Sequence, residues 1–509
     1  MARERTRAPE VWRNMTESSA EPGTATGGAL DRRRLGVSSI TLMIIAASAP
    51  LTVIAGGVPT SLAVSGSLGV PFGYIVLAVI LLVFAVGYAA MSRFVTNAGA
   101  FYAYIAQGIS RIAGVGSSLV ALVCYNAMQV GIFALFGFTI SDWLGTRFGI
   151  TTPWWLWVGL GIIAVGILGV NRVDLSAKVL GVLVALEFVA VIVFDVVSFV
   201  AQPEGVTIAP LAPSSLFAPG IGVVLAFGVA AFMGFESAAI YAEEAKDPAR
   251  TIPRATYLAV VVAGVFYALS SWAMIVGVGP SAAVAQSQEL GPGLLFAFLG
   301  EHVGVVVTDI VHILFITSLF AALQSFHNAV ARYFFSLGRE GVLPRWLGSV
   351  RASSHAPWAG SVTQTVIAIV VTLGFVIAGA SSDDPLFPVL TMFTWLTNTG
   401  AMGLVLLMAI VGIAVIGFFR RDARGVSVWV RLVAPVVGTV LLTVLLVLIL
   451  ANFDMMLGQE ESNLLTWVLP AIVVLPGVAG MIWAVVLRRR DPATYARIGH
   501  SVEDPDRVA

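Results

Sequence analysis

The chain of 509 residues is 58% hydrophobic and only 11% charged, and its mean hydropathy is +0.94, more apolar surface than soluble cores can bury. Its 28 Lys and Arg balance 28 Asp and Glu, so nothing global calls for nucleic acid or an acidic partner. The single cysteine, Cys124, excludes an intrachain disulfide and a cysteine metal cluster, and reads as a small packed hydrophobe.

Residues 1–35 are polar and carry no apolar run before Ser38, so they read as a disordered cytoplasmic tail and not as a cleavable signal peptide. A membrane-spanning helix needs about 20 mostly apolar residues. The first half of the chain offers such segments near 36–60, 70–92, 114–140, 154–171, 176–200 and 218–242. The second half offers them near 255–278, 303–334, 359–379, 386–418, 428–452 and 464–487, of which 303–334 and 386–418 are long enough to be tilted, bent or partly interfacial. Twelve spans with the N-terminus in the cytoplasm put nearly every Lys and Arg inside, from Arg32 to Arg34 through Arg93, Arg111, Lys178, Arg250 and Arg339 to Arg488, Arg489 and Arg490; only Arg147 falls outside. The positive-inside rule asks for that asymmetry. The expected organisation is a tail over 1–35, a transmembrane domain over 36–490 and a cytoplasmic tail over 491–509, in a multi-pass protein of the plasma membrane with minimal extracellular loops.

The two lysines, Lys178 and Lys246, each follow an alanine, which excludes a phosphate-cradling P-loop. There is no H-E-x-x-H or G-x-S-x-G sequence and the five His are scattered, so no enzyme, metal site or cofactor is expected. A carrier, a channel or a receptor remains, and many spans with no output domain favour the carrier.

Carriers of this size bind solutes where helices are interrupted, because unwound backbone exposes N–H and C=O groups at mid-membrane. In the first span, Ser48-Ala49-Pro50-Leu51-Thr52 places a proline among small residues; in the sixth, Phe232-Met233-Gly234-Phe235-Glu236 places a glycine and an acid in an apolar run. These are equivalent elements of two five-helix repeats.

Several segments resemble the amino acid/polyamine/organocation (APC) permease superfamily. Gly234-Phe235-Glu236 is followed by Glu243-Glu244-Ala245-Lys246-Asp247-Pro248-Ala249-Arg250-Thr251-Ile252-Pro253-Arg254, similar to the family's E-x-x-x-P-x-R-x-I-P-R loop. Asn328 to Arg332 and Arg339-Glu340-Gly341-Val342-Leu343-Pro344 resemble its N-x-x-x-R and R-(D/E)-G-x-L-P; Asn97 to Tyr104 resembles its A-G-G-x-Y-x-Y, and Ser176-Ala177-Lys178 its S-A-K. The first-span break departs from the family's frequent G-S-G, carrying Ser48-Ala49-Pro50 instead. The resemblance implies an all-α membrane fold of about 12 helices, with a five-plus-five inverted-repeat (LeuT-like) core, broken helices 1 and 6, and two extra helices. It implies proton-coupled amino acid uptake, with an exchanger or polyamine carrier as alternatives; a non-transporting receptor is the alternative of a different class. The expected partners are an amino acid, a proton or other coupling ion and the lipid bilayer, with no nucleic acid and no soluble partner evident.

On this reading the solute's charged ends meet backbone at Ser48, Ala49, Pro50, Leu51 and Thr52 and at Phe232, Met233, Gly234 and Phe235. A half-helix N-terminus suits a carboxylate and free carbonyls suit an ammonium. Phe232 or Phe235 is either a gate over the solute or ordinary core. Glu236 either braces the broken helix or responds to substrate and protons. Glu187, about 11 residues into the fifth span, is the first candidate for proton coupling, against a purely structural role, and Asp195 lies two turns further on. Tyr125, Asn126 and Gln129 form a polar cluster in the third span; Ser318, Gln324, Ser325, Thr394 and Thr397 are further pocket candidates, and His312 and His327 read as packing or polar-network residues.

Overall fold

The computed structural model describes residues 36–95, 101–171, 177–217, 219–236, 245–351, 356–459 and 462–499. The expected N-terminal tail, Asn97 to Ala100, Ser176, Glu243, Glu244 and the end of the C-terminal tail lie outside them, as does the side chain of Lys178. Among the described residues eleven helices are long and apolar enough to cross a membrane, and a twelfth apolar helix of 12 residues fills the place expected for the sixth span.

In chain order the helices are α1 (Val37–Ser48), α2 (Val58–Ser65), α3 (Val70–Met91), α4 (Phe101–Gly108), α5 (Arg111–Phe148), α6 (Trp154–Asn171) and α7 (Ala177–Ala201). There follow α8 (Ile221–Phe232), α9 (Pro248–Val278), α10 (Ala283–Leu290), α11 (Leu294–His302), α12 (Val305–Glu340) and α13 (Trp358–Ala378). The last are α14 (Thr394–Arg421), α15 (Ala434–Ala451), α16 (Phe453–Met456), α17 (Leu464–Arg490) and α18 (Pro492–Arg497). The first span joins α1 and α2 through a π-helical turn at Thr52–Gly57, and similar turns at Pro388–Phe393 and Trp429–Val433 lead into α14 and α15.

Length and polarity explain the layout. The 38 residues of α5 and 36 of α12 each extend roughly 50 Å or more, longer than a hydrocarbon core. α5 packs along α17, α14, α12 and α6, while α3 packs along α9. The lipid-facing sides carry residues such as Val182, Ile192, Val370 and Ile482, all exposed, which is where apolar side chains belong when the surrounding solvent is hydrocarbon.

The 279–304 connection differs from the minimal loop expected: it forms α10 and α11, and α10 packs on α2 with the Gln288 amide donating to the Ala63 carbonyl at 3.2 Å. At the opposite end of the bundle, Arg421 donates to the Gln107 carbonyl at 2.8 Å and Trp483 to the Val342 carbonyl at 2.8 Å. Those bonds gather the arginine-rich ends of α14, α12 and α17 beside the start of α5. Arg147, at the far end of α5, pairs with Asp309 at 2.9 Å.

Close backbone approach fixes the crossing of α4 over α14. A Cβ on Gly108 would stand 2.2 Å from the Ala414 carbonyl oxygen. Gly108→Ala is therefore expected to lower stability by about 1–3 kcal/mol, read as a lower unfolding temperature in detergent; an unchanged temperature would mean the two helices separate freely.

Candidate functional site

The first span breaks where the sequence places its proline. α1 ends at Ala49, which takes a left-handed conformation with φ 48° and donates its N–H back to Ile45 and Ala46, at a cost of about 1–2 kcal/mol for a residue bearing a Cβ. Pro50 then restarts the helix, where its missing N–H is harmless. Leu51 has an N–H that no preceding turn can accept, and it donates to Glu187 Oε2 of α7 at 3.2 Å. Glu187 is 4% exposed. Ser318 of α12 interacts with the same carboxylate and lies 3.2 Å from the Thr52 hydroxyl.

The sixth helix breaks one residue beyond α8. Met233 leaves helical geometry with ψ 131°, and Gly234 has φ 111°, a conformation that favours glycine. A Cβ at Gly234 would touch that of Ala47 at 3.0 Å, so the two breaks abut. The Gly234 N–H donates to Glu236 Oε2 at 2.9 Å, Tyr125 donates its hydroxyl to Glu236 Oε1 at 2.6 Å, and Tyr88 donates to the Glu236 carbonyl at 2.8 Å. Glu236 is 2% exposed.

Both breaks face one cavity of about 50 Å³, room for a few water-sized molecules. Ala47, Ser48, Ala49, Thr52, Val53 and Gly57 line it from the first span, and Phe227, Ala230, Ala231 and Met233 from the sixth. Met128 and Ile132 of α5, Ala322 and Phe326 of α12, and Phe393 and Thr397 complete it. No acidic or basic side chain is among these residues.

Of the expected substrate contacts, the structure gathers Ser48, Ala49, Thr52 and Met233 at the cavity. Pro50, Leu51, Gly234, Tyr125 and Asn126 are not among its lining residues. The N–H groups of Leu51 and Gly234 and the Tyr125 hydroxyl are engaged by the two carboxylates, and Asn126 bonds the Leu122 carbonyl of its own helix. Of the two alternatives for Phe232 and Phe235, this conformation has core packing: Phe232 packs on Tyr74 and Tyr267, and Phe235 on Phe84. The aromatic rings at the cavity are Phe227, Phe326 and Phe393, with Phe227 and Phe393 6.3 Å apart.

Asp195 does not share a contact with Glu187; it accepts from Ser270 of α9 at 2.8 Å. Gln129 turns away from the cavity toward Gln364, His327 and the Leu323 carbonyl, and His327 meets Ser361 at 2.6 Å. His312 lies between the rings of Phe296 and Trp143. Thr397 reaches the cavity; Gln324 pairs with Asn328 and Thr394 with the Val389 carbonyl. Ala322 and Phe326 were accessible to sequence reasoning, since they follow Ser318 at intervals of four on one helical face.

A bundle with two interrupted helices abutting across a small buried cavity is the architecture of a membrane carrier, and the family model described as amino acid permease matches residues 35–476. The chain belongs to that family. It is 28% identical to the branched-chain amino acid permease BcaP of Lactococcus lactis subsp. cremoris over 321 residues, 60% of this chain and 68% of that one. It is 24% identical to the low-affinity putrescine importer PlaP of Escherichia coli over 368 residues, 70% and 75% of the two chains. A crystal structure of the Eremococcus coleocola manganese transporter in complex with an aromatic bis-isothiourea substituted compound superimposes with a TM-score of 0.52 at 16% identity, covering 88% of this chain and 95% of that one. That likeness is of fold, and the fold is the LeuT type with its inverted repeats.

The Glu236 network gives a stability contrast. Tyr125→Phe removes a buried donor to a carboxylate and is expected to cost about 1.5–3 kcal/mol, whereas Asn126→Ala removes only a bond within its own helix and should stay within about 0.5 kcal/mol. Thermal unfolding of the two variants in one detergent checks the order; equal losses would deny Tyr125 its bracing role.

Proposed function

We propose that this protein is a secondary active transporter of α-amino acids with small or branched apolar side chains, working by proton-coupled uptake and alternating access around the two breaks. The carrying observation is the cavity: interrupted backbone from both repeats converges on walls of Ala, Val, Ile, Met and Phe that hold no ionisable side chain. Beyond the carbonyls taken by the Ala49 and Met233 N–H groups, the ends of α1 and α8 offer carbonyls that lack an intrahelical donor and suit an ammonium. With the Leu51 N–H held by Glu187, the Thr52 backbone and hydroxyl at the start of the second half-helix are the groups proposed to meet a carboxylate. The aliphatic walls then select the side chain by shape. A diamine would bring a second cation to a cavity without an acid to meet it, which disfavours polyamine carriage.

Glu187 is the proposed coupling acid and Glu236 the proposed brace. Glu187 spans from α7 to the first-span break, so loss or gain of its proton changes how firmly the Leu51 N–H is held. Glu236 has two donors on its carboxylate, both from elements beside its own break. The proposed setting is the plasma membrane with both termini cytoplasmic, supported by the one-sided distribution of arginine.

Uptake of labelled amino acids and putrescine into proteoliposomes, with and without an inward proton gradient, tests the reading. Leucine, isoleucine or valine is expected to accumulate with gradient stimulation, and Glu187→Gln to remove the stimulation while leaving exchange. Accumulation of putrescine alone would overturn the amino acid assignment. Ala231→Leu, which fills the cavity, should depress uptake of leucine relative to alanine by about tenfold; equal depression of both would mean that the cavity does not select by side-chain size.

A further inference from the structure

At the arginine-rich end of the bundle, a second cavity of about 460 Å³ opens between α4, the start of α5, the end of α14 and α18. Arg111, Arg421 and Arg424 line it, with Phe418, Tyr495 and Ile498 as apolar wall. Among the described residues Asp422 is its only lining carboxylate. That carboxylate is engaged locally, accepting the Arg424 N–H at 3.0 Å and lying 3.6 Å from Arg424 Nε.

Among the described residues Arg111 and Arg421 have no carboxylate partner, whereas Arg424 is paired with Asp422. Arg424 lies 4.8 and 4.6 Å from the Phe94 and Phe418 ring centres, and Arg111 lies 5.6 Å from that of Tyr495. Arg421 donates to the carbonyls of Gln107 and Ile109, which are neutral acceptors and leave further guanidinium donors available. The first turn of α5 has no acidic residue, and Ser110 caps the Ala113 N–H alone. Arg111 therefore stands at the positive end of a 38-residue helix, where a cation is disfavoured and an anion is favoured. Three guanidiniums, a helix N-terminus and one engaged carboxylate around a cavity of this volume make a site for an anion, and forked N–H donors match phosphate oxygens.

We propose that this cavity binds a phosphate-bearing anion, with Arg111 and Arg421 as its principal donors and the Phe418, Tyr495 and Ile498 surface against the group esterified to the phosphate. Such a phosphate has two sources, the headgroup of an anionic phospholipid and a free phosphate in solution.

Native mass spectrometry of the full-length protein, titrated with phosphatidylglycerol, phosphatidylcholine and inorganic phosphate, tests the site. Phosphatidylglycerol retained in preference to phosphatidylcholine, and not displaced by millimolar phosphate, assigns the lipid; phosphate binding without lipid preference assigns the free anion. In either case Arg111→Gln is expected to weaken binding about tenfold, and Asp422→Asn to tighten it about twofold to fivefold. The second variant leaves every guanidinium in place, so its result does not depend on the first one folding. Affinity unmoved by both substitutions, or equal retention of the two lipids with no phosphate bound, overturns the proposal. Phosphatidylglycerol retained only by a chain truncated after Gly499 also overturns it, because the cavity would then belong to the chain's own Glu503, Asp504 and Asp506.

Discussion

The architecture depends on two carboxylates, each accepting a main-chain N–H that a broken helix leaves over. In hydrocarbon no water can take that proton donor, and an unpartnered amide there costs several kcal/mol. Glu187 accepts from Leu51 and Glu236 from Gly234, so each interruption is tolerated because an acid stands beside it. The acids are accommodated in return: Tyr125 donates to Glu236, and Ser318 interacts with Glu187. Glu236 lies on the broken helix itself and ties it to Tyr125 of α5, whereas Glu187 lies on α7 and reaches across to the first repeat's break; a change in either tie alters the relation between two elements.

Around the breaks stands a more rigid frame. Gln129, His327, Ser361 and Gln364, none of which lines the cavity, join α5, α12 and α13 in a buried hydrogen-bonded network. Such bonds between membrane helices contribute roughly 0.6–2 kcal/mol each, and several acting together hold three helices in one register. The interrupted helices are instead held through one carboxylate each, Glu187 at the first break and Glu236 at the sixth, so few bonds have to exchange for them to move against that frame.

The spans and both breaks were legible because their causes are local. Twenty apolar residues, a proline at position 50 and a glycine at 234 constrain the backbone whatever surrounds them. Partner choice was not legible. Tyr125, Asn126 and Gln129 read as one polar cluster, yet they serve Glu236, their own helix and Gln364 respectively: Asn126 points away from Tyr125, while Tyr125 and Gln129 share a face one turn apart and meet different neighbours, which only packing decides. The packing of Phe232 and Phe235 was not legible for the same reason: each has aromatic neighbours on α3, and Phe232 meets Tyr267 of α9 as well. α10 and α11 escaped notice since their eight and nine residues are too short to carry a membrane-spanning signal.

The cavity at the breaks is small, with room for a few water-sized molecules, and its walls are mostly apolar side chains. For any solute larger than that space the walls must separate, and the interaction energy spent on dilating the site is subtracted from the affinity that the contacts alone would give. Weak binding is an asset for a carrier, since a solute held tightly on one side of the membrane is slow to leave on the other. A cavity that closes to a few water volumes also carries little solvent through each cycle, which limits the passage of ions dissolved in it.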